Sequence, residues 1–363
     1  MTEETSNDKI NSQKTDQEQV GIRRVEMAKG VTLADIAAQI GVSAVAVSKA
    51  LSGKPGVSEE LRSRIKETAA QMGYVPSVSV KPAVTGTGNI GVVVRERYYG
   101  YSITFYGQLY ERVVRALYDN EYYGILELLT EEDEKAGNLP KMVLDGKVDG
   151  LIFLGQMDES YILKMIRQTR CPVFFLDAYI PSARFDTVIS DGYYGTYQLT
   201  DYLIEAGHKR IGFVGSVDAT SSIADRFWGY RRALRENNIR FEEDWEIPDR
   251  DIRGACYEKL AVDIGKCDAY VCNCDVTAQV MIRNLEDAGC RVPEDVSVVG
   301  FDNFLPLGME SDRITTYEVD LMRMAGICVR SLIKKIRNEP YVEGIQIVTG
   351  WLVERESVKR RTE

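Results

Sequence analysis

Two cysteines and one histidine are the residues of this chain whose types most directly suggest chemistry. Cys272 and Cys274 form a C-x-C pair, which could supply two thiolate ligands to a metal ion. His208 is the sole histidine in the sequence, and no C-x-x-C accompanies the pair. A zinc site therefore lacks ligands at usable spacing, and we predict neither a metal nor another cofactor. We expect the seven cysteines to be reduced and to act as small buried hydrophobic residues.

Hydrolytic and dinucleotide-dependent reactions have no better support. His208 lies in A-G-H-K-R, at a helix end before a strand, where packing and a backbone hydrogen bond suffice to explain it. No G-x-S-x-G occurs, so a nucleophile and its base are not indicated. The glycines of GTGNIG, residues 86–91, precede an apolar run, whereas a dinucleotide loop follows one. The sequence therefore predicts a protein that is not an enzyme.

Charge is distributed unevenly along the chain. The formal net charge of −10, from 45 basic and 55 acidic residues, argues against non-specific attraction to nucleic acid. Residues 31–81, however, carry six basic and four acidic side chains and are therefore slightly positive (6 − 4 = +2).

The polar start of the chain does not resemble a signal peptide, and no apolar run is long enough to span a bilayer. We expect a cytoplasmic protein with no membrane partner.

The larger part of the chain alternates between strand-like and helix-like segments. Short apolar runs bounded by turn residues are typical of strands buried on both faces. They cover residues 89–94, 149–155, 171–178, 210–216, 267–275 and 296–303. Amphipathic stretches such as 105–122 and 277–290 lie between them. This alternation predicts parallel α/β sheets, and the length predicts two α/β lobes that face each other across a cleft.

A compact helical segment precedes these lobes. Thr32 and Asp35 have the spacing of a capping box, and Gly41 can turn the chain before Ser43 caps a second helix. A third helix begins at Ser58, with two glutamates in its first turn. Helix, tight turn, helix and supporting helix is the helix-turn-helix arrangement, although the pattern alone fits a plain three-helix bundle equally well.

Several motifs in the right order resemble the lactose/galactose repressor family over residues 30–360. Residues 31–77 have its Val-Thr-Leu, its Gly-Val-Ser turn, its Val-Ser-Lys and its Tyr-x-Pro exit. SDGYYGTYQLTDYLIEAGHKRIGFVG, RFWGYRRAL, PEDVSVVGFDN and GWLVERESV resemble its later motifs. The resemblance implies a helix-turn-helix domain joined to a two-lobed core like that of periplasmic binding proteins. It implies a repressor, a homodimer or tetramer on a near-palindromic duplex DNA operator in the bacterial nucleoid, whose small effector is a carbohydrate.

The resulting domain boundaries follow the changes in composition. We expect a disordered tail at 1–29, the helix-turn-helix domain at 30–76, a hinge or linker at 77–88 and the effector-binding core at 89–360. Lobe 1 is predicted to comprise about 89–189 and 318–345. Lobe 2 is predicted to comprise about 190–317 and 346–360.

The resemblance also assigns DNA-contacting residues. Ala44, Val45 and Lys49 fall on the base-reading face of the second helix. Residues placed to hold phosphates or to contact DNA are Thr32, Ser43, Ser48, Ser58 and Ser77. Ala44 and Val45 can touch only thymine methyl groups. We therefore expect DNA recognition to depend more on phosphate contacts and DNA shape.

The hinge departs from the family pattern. Ala83 stands where the family inserts Leu into the minor groove, and Pro82 before it disrupts a helix interior. We therefore do not predict that wedge.

For the effector, the resemblance implies an aromatic pair and several polar side chains. These are Phe105, Tyr106, Asp191, Arg226, Asp275 and Asp302. An Arg that faces carboxylates suits a polyol. Phe105 and Tyr106 could instead belong to the core, and Asp191 and Asp275 could instead cap helices. Cys274 stands where the family often has Asn, which removes an amide from this site.

Two other functions use the same cleft. A cytosolic solute-binding protein without specific DNA binding leaves the N-terminal helices unexplained. A sugar-modifying enzyme would need a nucleophile and base that the sequence does not supply. The sequence therefore predicts an effector-controlled transcriptional repressor.

Overall fold

The computed structural model describes residues 31–74, 86–99, 104–180, 185–251, 254–306 and 313–361. The chain divides into two compact units, with the division between Pro76 and Ser77. The predicted tail at 1–29, and Ser77, Pro82 and Ala83 of the predicted hinge, lie outside the described residues.

Three helices form the first unit. They are α1 (Leu33–Ile40), α2 (Ala44–Leu51) and α3 (Glu59–Gln71). Ile36, Val47 and Ile65, one from each helix, are fully buried and meet in a small apolar core. Gly41 ends α1 with a φ of +79°, a left-handed conformation that glycine adopts without steric cost. α1 and α2 meet at 107°, so α2 presents a separate outer face.

Helices and strands alternate in the second unit, as predicted. Its helices are α4 (Glu96–Tyr99), α5 (Phe105–Tyr118), α6 (Glu131–Ala136), α7 (Lys141–Leu144), α8 (Glu159–Gln168), α9 (Gly192–Glu205), α10 (Ser221–Glu236), α11 (Asp275–Asp287) and α12 (Leu321–Ile336). Its strands are β1 (Asn89–Arg95), β2 (Tyr123–Leu129), β3 (Gly150–Leu154), β4 (Val173–Leu176), β5 (Thr187–Ser190), β6 (Ile211–Val214), β7 (Glu246–Ile247), β8 (Ala269–Cys272), β9 (Ser297–Val299), β10 (Thr316–Glu318), β11 (Ile345–Val348) and β12 (Trp351–Val353).

Lobe 1 is built on a six-stranded parallel sheet in the order β11-β5-β4-β3-β1-β2. Alternate residues of its central strands are buried on opposite faces. Ile152 and Leu154 belong to the cluster that includes α5 and α12, whereas Leu151 and Phe153 pack with α8. Burial on both faces explains why β3 reads as an unbroken apolar run.

Lobe 2 is built on a four-stranded parallel sheet in the order β7-β6-β8-β9. The antiparallel pair β10-β12 extends it through bridges from Val299 to Thr315 and from Asp302 to Glu318. The carboxyl ends of these parallel strands therefore supply the loops that position polar side chains.

The chain crosses between the lobes three times. It crosses after β5 at Asp191, after β10 at Val319 and Asp320, and between β11 and β12. The boundary predicted at about 345/346 falls inside β11, which pairs with β5 through Val348 and so belongs to lobe 1. The sequence missed this strand since Ile345 and Ile347 are exposed at the sheet edge and give no apolar run.

Membrane insertion can be considered from helix length and composition. Of the helices in the described ranges, none by itself is long and apolar enough to cross a membrane. α1 and α2 satisfy that criterion only as a pair, which is sharply bent.

Gly229 is the point at which α9 and α10 pack backbone against backbone. A Cβ at this position would lie 1.9 Å from the carbonyl oxygen of Tyr193 and 3.1 Å from the amide nitrogen of Tyr197. Gly229→Ala must therefore push the helices apart. We expect it to lower the free energy of unfolding by about 2 kcal/mol or more, measured by urea denaturation of the full chain.

Gly326 of α12 provides a matched helical control. A Cβ there would meet only the end of the flexible Arg330 side chain, 2.9 Å away. Gly326→Ala should be neutral or stabilising by up to about 1 kcal/mol, because alanine has the higher helix propensity. Equal losses for the two variants would contradict the proposed backbone contact at Gly229.

Candidate functional site

The outer face of α2 carries the exposed residues that are predicted from the sequence to contact DNA. Ala44, Val45, Ser48 and Lys49 are all exposed, and the Val45 side chain retains 64% of its accessible surface. Val47 and Ala50 point the other way into the core. A helix face with an exposed valine, and a lysine one turn further along, is a surface able to enter a major groove.

Three of the four predicted hydroxyl residues that the structure describes in this unit cap its helices, whereas Ser48 lies within α2. Thr32 accepts a hydrogen bond from the amide of Asp35, whose carboxylate in turn accepts from Thr32, as the capping box predicts. Ser43 accepts from the amide of Ala46, and Ser58 accepts from the amide of Leu61. These caps orient helix N-termini, whose remaining free N–H groups are suited to phosphate oxygens.

In the second unit, Arg226 and Asp302 are brought together from α10 and the loop after β9. Arg226 Nη2 donates to Asp302 Oδ1 at 2.9 Å, and its Nη1 donates to the carbonyl oxygen of Asn273 at 2.5 Å. The guanidinium carbon lies 3.9 Å from the centre of the Phe301 ring. Arg226 is only 5% exposed, and its Nε is buried with no hydrogen-bond partner in the described residues. These contacts hold the guanidinium group of Arg226, a charged hydrogen-bond donor, inside lobe 2.

Tyr106 and Asp177 form the corresponding pair in lobe 1. The Tyr106 hydroxyl donates to Asp177 Oδ2 at 3.0 Å, and the tyrosine ring packs against Gly155. Asp177 follows β4 and has a φ of +61°. Burial raises the pKa of Asp177 to about 7; the charge of Asp302 adds to the rise, and Arg226 acts against it. The pKa of Asp177 in lobe 1 therefore responds to the charges of Arg226 and Asp302 in lobe 2.

Asp177→Asn should stabilise the protein in a pH-dependent way. An unfolded carboxyl ionises near pH 4, whereas folded Asp177 resists ionisation until about pH 7. Below pH 4 the carboxyl therefore does not lower the free energy of unfolding. Between pH 4 and pH 7 it lowers this free energy progressively, and above pH 7 the destabilisation is complete. Asparagine tolerates the left-handed backbone. We expect the increase in Tm to be small at pH 4.5 and to reach roughly 3 °C or more at pH 8.

Asp186→Asn is the control with the opposite sign. Burial raises the pKa of Asp186, but hydrogen bonds from Lys335, Gly344 and Tyr341 outweigh it and hold the pKa below its usual value. Its stabilisation is present above pH 4 and is lost as pH falls. This variant should therefore lower Tm at pH 8, and a parallel pH trend for the two variants would rule out the assignment at Asp177.

Aromatic rings border this cluster from both lobes. Phe105 of α5 meets Phe304, from the loop after β9, edge to face at a centroid distance of 6.5 Å. The ring centroids of Tyr98 and Tyr106 are 5.1 Å apart. Phe105 and Tyr106 are half-buried and lie in the first turn of α5. They thus pack against the core and border the cleft at the same time.

Asp191 and Asp275 have other partners in the structure. Asp191 caps α9, accepting from the amide of Tyr194 at 3.0 Å. Asp275 does not cap α11; its Oδ2 accepts from the amide of Phe304 at 2.8 Å, and Gly300 leaves the space for its other oxygen. Burial raises the pKa of Asp275 well above its usual range. Its observed contact therefore fixes the loop that carries Asp302.

Sequence reasoning missed Asp177 and a buried polar network beneath the cleft. Asp249 accepts hydrogen bonds from Arg250, Asn273, Thr277 and the amide of Ser216 at 2.7–2.9 Å. Asn273 is thereby held inside lobe 2. Asp177 could have been found, because it follows an apolar run, as Asp302 does.

His208 and the cysteines have the following surroundings in the structure. His208 is buried, with Nδ1 3.3 Å from Asp268 Oδ1. All seven cysteines are free; Cys267, Cys272 and Cys328 are buried, but Cys256 is exposed, contrary to expectation. Within the part of the chain that the structure describes, no cluster of three or more His, Cys, Asp or Glu could hold a metal ion.

Parts of both units match known protein families. Residues 32–77 match the family model described as bacterial regulatory proteins, lacI family, and residues 200–358 match the periplasmic binding protein-like domain. The HTH-type transcriptional repressor PurR of Aliivibrio salmonicida is 28% identical over 337 residues, which are 91% of this chain and 99% of PurR. The similar curated proteins include further transcriptional regulators, not enzymes.

Solved structures share this fold. A cellobiose complex of the transcriptional regulator CelR has a TM-score of 0.65 and 24% identity, covering 90% of this chain and 99% of CelR. A lac repressor dimer bound to operator and the anti-inducer ONPF has a TM-score of 0.61 and 21% identity. The match covers 91% of this chain and 100% of the lac repressor chain.

Proposed function

Because this chain belongs to the lacI family of bacterial regulatory proteins, a family of DNA-binding transcriptional regulators, we propose that a carbohydrate effector controls its affinity for DNA. Two copies of the first unit read a near-palindromic operator, each through the face of α2 that carries Val45 and Lys49. The effector is a sugar or sugar derivative held between the lobes. The regulator acts in the cytoplasm, on DNA of the nucleoid, as a repressor.

The observation that carries this proposal is the division of the polar site between the lobes. Tyr106 and Asp177 belong to lobe 1, and Arg226 and Asp302 belong to lobe 2. Each pair is complete within its lobe, so neither pair by itself holds the lobes together. A ligand with several hydroxyl groups can accept from the guanidinium and donate to both carboxyl groups, and thereby joins the lobes.

Contacts near the site already join the lobes in this conformation. The Tyr179 hydroxyl donates to Asp225 at 2.9 Å, and Ser221 donates to the Gln156 side chain at 3.2 Å. A ligand that binds one relative arrangement of the lobes more tightly shifts the population toward it. In a dimer, such a shift alters how well two DNA-binding units fit their half-sites, which is an allosteric coupling.

A carbohydrate fits the chemistry of the cleft. Aromatic rings such as Phe105 and Phe304 offer apolar faces to sugar C–H groups, beside charged partners for the hydroxyls. The structurally similar CelR was solved with cellobiose. Both features support a saccharide in preference to a wholly apolar ligand.

A thermal-shift screen of the full-length protein, followed by calorimetry, tests this proposal. The panel contains mono- and disaccharides, sugar phosphates and purines. At least one carbohydrate should raise Tm in a concentration-dependent way and bind one per chain. Binding of purines alone would overturn the carbohydrate assignment.

A further inference from the structure

The outer face of lobe 2 carries a groove that the effector site does not use. It lies along α10 and the loop that follows, and has a volume of about 950 Å³. Trp228, Ile239 and Phe241 give it accessible apolar surface, above the buried side chain of Leu234. Arg226 of the same helix points into the protein, whereas the Trp228 side chain is 54% exposed. The two faces of α10 therefore serve different surroundings.

Arginines surround this groove. Its lining includes Arg231, Arg232, Arg235 and Arg240, against a single acidic residue, Glu236. Glu236 is already paired with Arg232, at 2.8 Å. Arg240 Nε lies 3.5 Å from Glu242 Oε1, and Arg235 forms no ion pair with any residue that the structure describes. A locally positive surface on a chain of net charge −10 is suited to an acidic partner.

Two of the four arginines, Arg231 and Arg232, lie over aromatic rings. The Arg231 guanidinium carbon lies 3.8 Å from the centre of the Phe241 ring. Arg232 lies over Tyr193 and Tyr197, at 5.8 and 5.6 Å from the ring centres. The backbone contact at Gly229 fixes α9 against α10 beneath them. Ordered arginine and exposed tryptophan side chains are typical of the residues that dominate protein–protein binding energy.

We infer that this groove, defined by α10 and residues 237–241, binds an acidic polypeptide segment of a partner protein that inserts an apolar side chain. Carboxylates of the segment would pair with the guanidinium groups at the rim, and an aromatic or leucine side chain would fill the floor beside Trp228.

Two other occupants fit less well. A second copy of this chain, docked symmetrically through the same face, would place arginine against arginine. Duplex DNA would satisfy the arginines through its phosphates, but it would leave the accessible apolar side chains of Trp228, Ile239 and Phe241 uncovered. The combination of a basic rim and an apolar floor therefore favours a peptide.

Selection of random 12-residue peptides displayed on phage, against the full-length protein, tests this inference. Enriched peptides should be acidic and should contain Trp, Phe or Leu. Synthetic copies should bind in fluorescence anisotropy, and Arg235→Glu should weaken them at least about tenfold, the loss of roughly one charge-assisted pair. Trp228→Ala should weaken the same peptides without any change of charge.

Lys209→Glu, at an exposed basic residue of the same lobe, provides the charge-matched control and should leave peptide affinity unchanged. Effector binding should persist in every variant, which separates failure here from failure of the proposed function. Enrichment of neutral or basic peptides, no enrichment, or equal binding to Arg235→Glu would overturn the inference. Displacement by non-operator duplex, or a change of sedimenting mass in Arg235→Glu, would assign the groove to DNA or to a second copy instead.

Discussion

Arg226→Ala should weaken effector binding by at least about 100-fold, because it removes two charge-assisted donors from a buried site. The same side chain orders the loops on both sides of it, through the Asn273 carbonyl and Asp302. Calorimetry with the effector identified by screening measures the loss. Operator affinity without effector should stay within about threefold of the parent, since Arg226 belongs to the second unit.

Arg226→Lys distinguishes loss of the ligand contact from loss of the fold. Alanine leaves Asp302 buried without its cation and should also destabilise the protein by roughly 3 kcal/mol. Lysine keeps the charge but cannot donate in two directions, so it should restore most of the stability and little of the affinity. Unchanged effector affinity in both variants would remove the cleft assignment.

Lys49→Glu should reduce operator affinity at least about 100-fold, because a carboxylate at this exposed position of α2 meets either phosphates or the acceptor edge of guanine. Fluorescence anisotropy with labelled operator duplex measures the effect. Effector affinity should not change. Lys66→Glu, at an exposed lysine of α3 outside this face, is the matched control and should lose much less operator affinity.

Lys49→Ala then separates base reading from phosphate contact. If Lys49 reads a base, the variant should relax specificity at one position of each half-site and keep the salt dependence of the parent. If it binds a phosphate, all sequences should weaken alike and the salt slope should fall by about one. Operator binding that survives in Lys49→Glu would contradict the role given to α2.

Local interactions made the first unit predictable. The Thr32–Asp35 capping box, the turn at Gly41 and the caps at Ser43 and Ser58 all lie within four residues of their partners, so the sequence contains each one whole. β3 was predictable for a different reason, because a strand buried on both faces must be apolar throughout.

The cleft was predictable only in part, because its contacts join distant residues. Tyr106 and Asp177 are 71 positions apart, and nothing local shows that their side chains meet. Asp275 resembled either a ligand or a cap, but its carboxylate accepts from the Phe304 amide, 29 positions away, through space that Gly300 leaves open. β2 was missed because most of its side chains are only partly buried, so its sequence lacks a clear period.

The affinity of the full-length protein for its operator, measured with and without saturating effector, tests the central claim most directly. We expect a sequence-specific complex, preferred over a scrambled duplex at 150 mM salt. Its Kd should change between about fivefold and 150-fold when effector is added, the range of typical allosteric couplings. Equal affinity for operator and scrambled DNA, or an operator Kd that no cleft ligand alters, would contradict the account.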